Sequence, residues 1–332
     1  MSCSVDLETP RADLAAWLAA VGFPARDIQP LAGDVSPRRY ARITGENGGT
    51  AILASYPPEV RATCPRFLRT GELLAAAGVP VPQVLAADCA EGWMLLADLG
   101  PATLGDWKER PWGELGHYFT RALHLLGQIA RLPAAELAGL NPPLGAELLR
   151  RELQQTWDLF LEPRGLVGDT ALAARLQAAL DEICVRLGAE PAVPCHRDFM
   201  SRNLMPLDGT GELAVLDHQD LRLGPPAYDL ASLLNDTLFP PADLEEELLA
   251  AALPSLPVDD PRTSYHRAAA QRTLKAVGTY TAFARRGAER HLPLIPPTLA
   301  RGLAHLGKLP EGAPLAAELA ALWAPALEPP RR

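Results

Sequence analysis

The chain has 332 residues, 48% hydrophobic and 21% charged, with a formal net charge of −9. That balance excludes a disordered tail, a collagenous repeat and a disulfide miniprotein, and its acidity argues against general nucleic-acid binding, which relies on a basic surface. A chain of this length holds about two domains, or one domain in two lobes.

Thr9 and Pro10, followed by Leu14, Trp17, Leu18 and Val21, give an N-cap, a first-turn proline and apolar positions at helical spacing, ended by Gly22 and Pro24. From Ile28 to Tyr56 the period shortens around Gly45-Glu46-Asn47-Gly48-Gly49, which predicts a hairpin. Cys64 to Ala77 reads as a helix stopped by Gly78 and Pro80, and Val81 to Ala87 and Trp93 to Ala97 read as two more strands. Beyond Asp98-Leu99-Gly100-Pro101 helical patterns dominate, over roughly 111–131, 144–161 and 170–188. They are interrupted by short apolar runs at Val193 to Cys195 and Leu213 to Leu216, and resume from Pro225. A β-rich segment ahead of an α-rich one predicts two lobes with a hinge near residue 98: residues 1–98 with the leading helix, and residues 99–332.

The five cysteines show no C-x-x-C pair and no zinc spacing, so a reduced cytoplasm is the expected home. The first residues carry Asp6 and Glu8 and no apolar h-region, and no run of about 18 uncharged apolar residues occurs, so neither a secretory signal nor a membrane span is expected.

The strongest chemical signal is His196-Arg197-Asp198-Phe199-Met200-Ser201-Arg202-Asn203, then the apolar run Leu213 to Leu216, then Asp217. It fits H-x-D-x-x-x-x-N, a strand and an aspartate, the order used for phosphoryl transfer. In that order Asp198 accepts a hydroxyl proton, while Asn203 and Asp217 offer the oxygen ligands that Mg²⁺ prefers beside ATP phosphates.

Here the chain resembles the aminoglycoside-phosphotransferase-like kinases, through Val193 to Met205, then Val215-Leu216-Asp217-His218-Gln219-Asp220, then Gly224 to Leu234. Three further pieces resemble one branch, the bacterial anomeric kinases of N-acetylmuramate and N-acetylglucosamine that serve cell-wall recycling. They are Gly33 to Tyr40, Leu96 to Gly100 and Gln271 to Gly278. The resemblance implies an α+β, bilobal protein-kinase-like fold, with a small β-rich N-lobe and a larger, mainly helical C-lobe. It makes Asp198 the catalytic base and Asn203 and Asp217 the magnesium ligands, and it gives His196 and Asp229 the work of supporting the catalytic loop.

By the same resemblance Gly33 to Tyr40 covers the phosphates of ATP, with Ser36 and Arg38, Arg39 or Arg42 as contacts, and adenine lies against the backbone of Ala97 and Leu99. Many kinases grip the α- and β-phosphates with a strand lysine paired to a helix glutamate. Here the strand reads Ala51-Ile52-Leu53-Ala54-Ser55-Tyr56, and the three lysines, Lys108, Lys275 and Lys308, all follow the hinge. Glu72 is therefore read as a solvated helix residue, and either an arginine replaces the lysine or magnesium does more of the work.

Glu152, Arg202, Gln219 and Asp220 are the candidate sugar contacts, because hydroxyl-rich ligands are held by carboxylates, amides and guanidinium groups. Arg272, Arg285, Arg286 and Arg290 lean the choice toward an acidic or neutral sugar over a cationic one. The expected activity is ATP- and Mg²⁺-dependent phosphorylation of the anomeric hydroxyl of an N-acetylated amino sugar, with no nucleic-acid, membrane or obligate protein partner. An aminoglycoside, choline or homoserine phosphotransferase, a protein kinase and an inactive nucleotide-binding module remain as alternatives.

Overall fold

Between Ala25 and Ala97 the alternating apolar positions fold into a five-stranded antiparallel sheet: β1 (Ala25–Pro30), β2 (Arg39–Gly45), β3 (Thr50–Ser55), β4 (Val84–Asp88) and β5 (Trp93–Ala97), in the spatial order β1-β2-β3-β5-β4. The structure is a computed structural model and describes residues 12–31, 37–207 and 209–328. The chain divides into two units, Met1–Pro101 with Ala214–Gln219, and Ala102–Leu213 with Asp220–Arg332.

In the first unit the β2–β3 turn is built as its glycines and asparagine dictate. Gly45 N–H donates to the Gly49 carbonyl at 2.9 Å, Gly49 N–H donates to Asn47 Oδ1 at 2.9 Å, and Gly48 sits at φ 81°, a conformation glycine adopts without penalty. One face of the sheet, with Ala41, Ile43, Ala51, Leu53 and Leu95, buries Leu14 and Leu18 of α1 (Ala12–Ala20); the expected cap of that helix, Thr9 and Pro10, lies outside the described residues. The other face, with Ala54, Tyr56, Met94 and Leu96, packs on Cys64 and Phe67 of α2 (Cys64–Ala76). Each fully buried leucine here contributes about 1.5–3 kcal/mol. Glu72 of α2 is exposed and pairs with Arg69 at 3.3 Å, as expected for a solvated position.

Two features of this unit differ from the sequence reading. Cys64 and Cys89 form a disulfide with Cα atoms 5.6 Å apart, a pairing their spacing did not signal. Residues 214–219, expected in the C-terminal half, join the first unit. Val215 N–H donates to the Pro80 carbonyl at 2.8 Å, and the buried His218 ring lies 4.2 Å from that of Phe67 and shares a 2.8 Å hydrogen bond with Thr70 Oγ1.

The rest of the chain runs α3 (Trp112–Ile129), α4 (Ala134–Leu137), α5 (Ala146–Thr156), α6 (Thr170–Ala189), β6 (Val193–Cys195), β7 (Leu204–Pro206), β8 (Leu213–Val215), β9 (Arg222–Gly224), α7 (Tyr228–Leu234), α8 (Ala242–Ala252), α9 (Pro261–Arg285), α10 (Ile295–Leu306) and α11 (Ala316–Leu327). α5 continues into a π-helical turn, Trp157–Leu161. The axis of the second unit is α9, buried at most positions from Ser264 to Ala282. It starts at Pro261, because the Asp260 carboxylate caps it by accepting from Thr263 N–H at 3.0 Å and a proline suits the first turn. α5 approaches it closely at Gly278, where a Cβ would meet Thr156 Oγ1 at 2.3 Å, and Thr156 Oγ1 donates to the Leu274 carbonyl at 2.8 Å. Among the described residues no helix is long and apolar enough to cross a membrane.

Candidate active site

β6 pairs with β9 and delivers the segment His196 to Asn203. Its second residue, Arg197, holds φ 76°; among the described residues the one other non-glycine with positive φ is Asp217, at 58°. Such backbone costs about 1–3 kcal/mol and persists where surrounding bonds enforce it. For Arg197 the enforcing group is Asp229 of α7, whose carboxylate accepts from His196 N–H at 2.5 Å and from Arg197 N–H at 2.8 Å. Burial pushes the Asp229 carboxyl up to about 6, against the stabilising pull of His196 and the two N–H bonds. The His196 ring is fully buried and packs edge-on against Phe199.

The turn at Arg197 presents the next side chain, Asp198, to a group of cations in the second unit. Arg272 Nη2 donates to Asp198 Oδ1 at 3.1 Å, and Lys275 Nζ lies 3.5 Å from the same oxygen. Both cations project from α9, three residues apart on one face. Burial alone would raise the Asp198 carboxyl, but Lys275, Arg272, Arg197 and His196 outweigh it and hold the group far below the ordinary carboxylate range. Burial lowers the Lys275 ammonium below its usual value, with Asp198 and Glu152 opposing that fall. Asp198 is thus an ionised acceptor, suited to receive the hydrogen bond of an attacking hydroxyl.

The expected sugar contacts are engaged in this framework. Glu152 of α5 accepts from Arg197 Nη2 at 2.9 Å and from Gln271 Nε2 at 3.2 Å, and lies 3.8 Å from Lys275 Nζ. Asp220 accepts from Arg197 Nη1 at 3.0 Å and pairs with Arg222 at 3.4 Å. Arg202 pairs with the buried Asp236 at 3.4 Å. Among the same residues, the buried Gln271 Oε1 and Tyr228 hydroxyl make no hydrogen bond to any described residue, which leaves polar atoms for a hydroxyl-rich ligand or water. Of the four arginines read toward the sugar, Arg272 is committed to Asp198, and Arg285 donates from an exposed position to the Leu159 carbonyl.

Asn203 Nδ2 donates to the Asp198 carbonyl at 2.8 Å, closing the loop and directing its amide oxygen away from that bond. That Oδ1 has no hydrogen-bond partner among the described residues and is a donor atom of the hard type magnesium takes.

In the first unit, Asp217 Oδ1 accepts from Arg38 Nη2 at 2.6 Å and from Gln219 Nε2 at 3.0 Å, and Gln219 Oε1 accepts from Arg38 Nη1 at 2.8 Å. Gln219, expected among the sugar contacts, is therefore bound to Asp217 and Arg38. Arg42 is closed on Asp98 by bonds of 2.7 and 3.0 Å and on the Gly100 carbonyl at 2.7 Å, so its charge is already matched. Arg39 is exposed and, by strand alternation, shares the face of Ala41 and Ile43, opposite to Arg38. Ala97 N–H donates to the Gln83 carbonyl at 2.8 Å, whereas Leu99 N–H has no partner among the described residues and can serve a nucleobase. Ser36 and the rest of residues 32–36 lie outside the described residues.

The spacing in the sequence singles out Asp198, Asn203 and Asp217, and the resemblance adds Asp229; neither places Lys275 beside Asp198. A signal was present: Lys275 is one of three lysines among 31 basic residues, three positions after an arginine on the same predicted helix.

Residues 27–269 match the phosphotransferase enzyme family. A protein of Neisseria meningitidis serogroup B named N-acetylmuramate/N-acetylglucosamine kinase is 32% identical over 298 residues, covering 84% of this chain and 86% of its own. A protein of Pseudomonas aeruginosa with the same name is 32% identical over 285 residues, covering 82% of each chain. Among solved structures, the ADP-bound aminoglycoside phosphotransferase APH(2'')-Ib matches with a TM-score of 0.60 at 12% identity, covering 88% of this chain and 97% of its own, a likeness of fold.

Proposed function

The chain belongs to the phosphotransferase enzyme family, and on that premise we propose that it is an ATP-dependent kinase that phosphorylates the anomeric hydroxyl of N-acetylmuramate or N-acetylglucosamine. The observation that carries this reading is Asp198, ionised among Arg272 and Lys275 at the end of a strained turn. The names of the relatives support the choice of sugar.

In the proposed reaction the sugar O1 attacks the γ-phosphorus of ATP, the bond from that phosphorus to the ADP oxygen breaks, and the O1 proton passes to Asp198 as charge builds on O1. Lys275 and Arg272 fix the carboxylate toward the acceptor. Glu152, Arg197, Gln271 and Tyr228 surround the acceptor with hydrogen-bonding groups. The first unit is assigned the nucleotide, with the Leu99 N–H as a base contact, and the second unit the sugar. Asn203 and Asp217 are assigned to magnesium on the sequence pattern and on the oxygen donors each offers; when bound, the ion neutralises charge on the transferring phosphoryl group. The cytoplasm, where ATP is available, is the proposed compartment.

The test is a panel of amino sugars incubated with ATP, with the product resolved by phosphorus NMR. The expected product is acid-labile and shows phosphorus coupling to H1. Phosphate on another hydroxyl, or no sugar phosphate with any member of the panel, rejects the reading.

A further inference from the structure

β3 brings no cation to the α2-facing side of the sheet: its residues there are Ile52 and Ala54, followed by Tyr56. Of the two arginines that β2 and its entry place on that side, Arg42 is held by Asp98 and the Gly100 carbonyl. Arg38 differs in what it touches. Its side chain is 11% exposed, and the two ends of its fork hold oxygens of two different side chains, Asp217 Oδ1 at 2.6 Å and Gln219 Oε1 at 2.8 Å. A guanidinium splayed over two oxygens in this way is arranged as it would be over two oxygens of a phosphate chain. The Asp217 end is 36% exposed and Oδ2 accepts no hydrogen bond among the described residues, so the pair is reachable from solvent on the carboxylate side.

We propose that Arg38 is the cation of the first unit that binds the polyphosphate of the nucleotide, and that in the ligand-free chain Asp217 and Gln219 hold its fork in the place the phosphate oxygens take. Exchanging one anionic partner for another keeps a largely buried guanidinium paired throughout, which avoids the cost of leaving it alone in a low dielectric. The same exchange releases the Asp217 carboxylate. A lysine in this position has one point charge and lacks the fork, so it supplies part of the interaction only. The assignment rests on the reading of the chain as an ATP-dependent kinase.

The test is nucleotide binding, measured by calorimetry without turnover and in EDTA, for adenosine, AMP, ADP and a non-hydrolysable ATP analogue. Wild type is compared with Arg38→Ala, Arg38→Gln and Arg38→Lys, each checked by thermal unfolding. Arg38→Ala and Arg38→Gln are expected to weaken ADP and the ATP analogue about tenfold to a hundredfold, the size of a lost charge-assisted bond, and to leave adenosine within about twofold. Arg38→Lys falls between. If Arg38→Ala unfolds, Arg38→Gln, which keeps polar atoms for Asp217 and Gln219, decides the matter. Equal losses for adenosine and ADP, or no loss for ADP, overturn the assignment. A wild-type chain that binds neither adenosine nor ADP overturns the kinase reading itself, and is recognised because the variants then play no part in the result.

Discussion

The Lys275 ammonium lies 3.5 Å from the carboxylate of Asp198, in a chain that otherwise meets nearly every need for positive charge with arginine. An arginine keeps its proton throughout the working pH range; a buried lysine does not. Lys275→Met is expected to lower kcat about tenfold to a hundredfold with little change in KM for ATP. Because burial depresses the Lys275 ammonium, wild-type activity should decline on the alkaline side below the usual lysine range, and that decline should be absent in Lys275→Met. A variant that loses activity yet keeps the alkaline decline would reduce Lys275 to packing.

Asp198→Asn removes the proposed acceptor for the O1 proton and leaves Arg272 and Lys275 facing a neutral amide. The expected loss in kcat is about 10²- to 10⁴-fold, measured by coupled ADP release. Near wild-type turnover would end the proposed mechanism.

Asp229 gives opposite signs for activity and stability. Its ionised form holds the Arg197 turn, so kcat should rise with pH through about 6. Its folded pKa lies above the unfolded carboxyl value, so its own contribution to stability is fullest below about pH 4 and fades as pH rises through about 6. The loss of activity just below pH 6 should therefore occur with the circular dichroism of the folded chain intact. Asp229→Asn, which cannot accept both N–H bonds, should lower kcat at every pH and remove this acid limb.

At Gly278 any side chain meets Thr156, whose Oγ1 would be 2.3 Å from the new Cβ and whose backbone nitrogen would be 2.8 Å away. Gly278→Ala should force α5 from α9 and destabilise the fold by about 1–3 kcal/mol, read from urea denaturation. Since Glu152 lies on α5, activity should fall beyond the loss of folded protein. Unchanged stability would mean that the two helices are not in tight contact there.

With Cys64 and Cys89 joined, the oxidised, denatured chain should titrate three thiols out of its five cysteines. Reduction should cost about 2–4 kcal/mol of stability, as expected for closing a loop of 25 residues. Five thiols in protein purified without reductant would show that the bond does not form.

The residues that carry strong local rules were legible. Asn47 and Gly48 announced the β2–β3 turn, Gly78 ended α2, and the spacing of Asp198 and Asn203 marked the loop whose hydrogen bond the structure supplies. What escaped were relations over long separations: Arg38 and Asp217 are 179 positions apart, and Arg272 and Asp198 are 74 apart. Gln219 reads as a sugar ligand because an amide suits hydroxyls, and the sequence holds no sign that an arginine at the entry to β2 claims it. Arg39 and Arg38 read alike in sequence, and the pleat of β2 alone separates them. The π-helical turn after Thr156 was read as ordinary helix, since a single wide turn leaves the apolar spacing almost unchanged.

The membership of residues 214–219 in the first unit bears on how such a chain is inherited and altered. The first unit is not a contiguous stretch of gene. A fragment ending at Pro101 would leave Arg38 without Asp217 and Gln219, Pro80 without Val215, and Thr70 without His218. Recombination at one crossover can therefore not pass the unit intact to another protein. Chimeras with relatives should work only when both segments are exchanged together, which ties the evolution of the residues around Arg38 to that of a strand more than a hundred positions away.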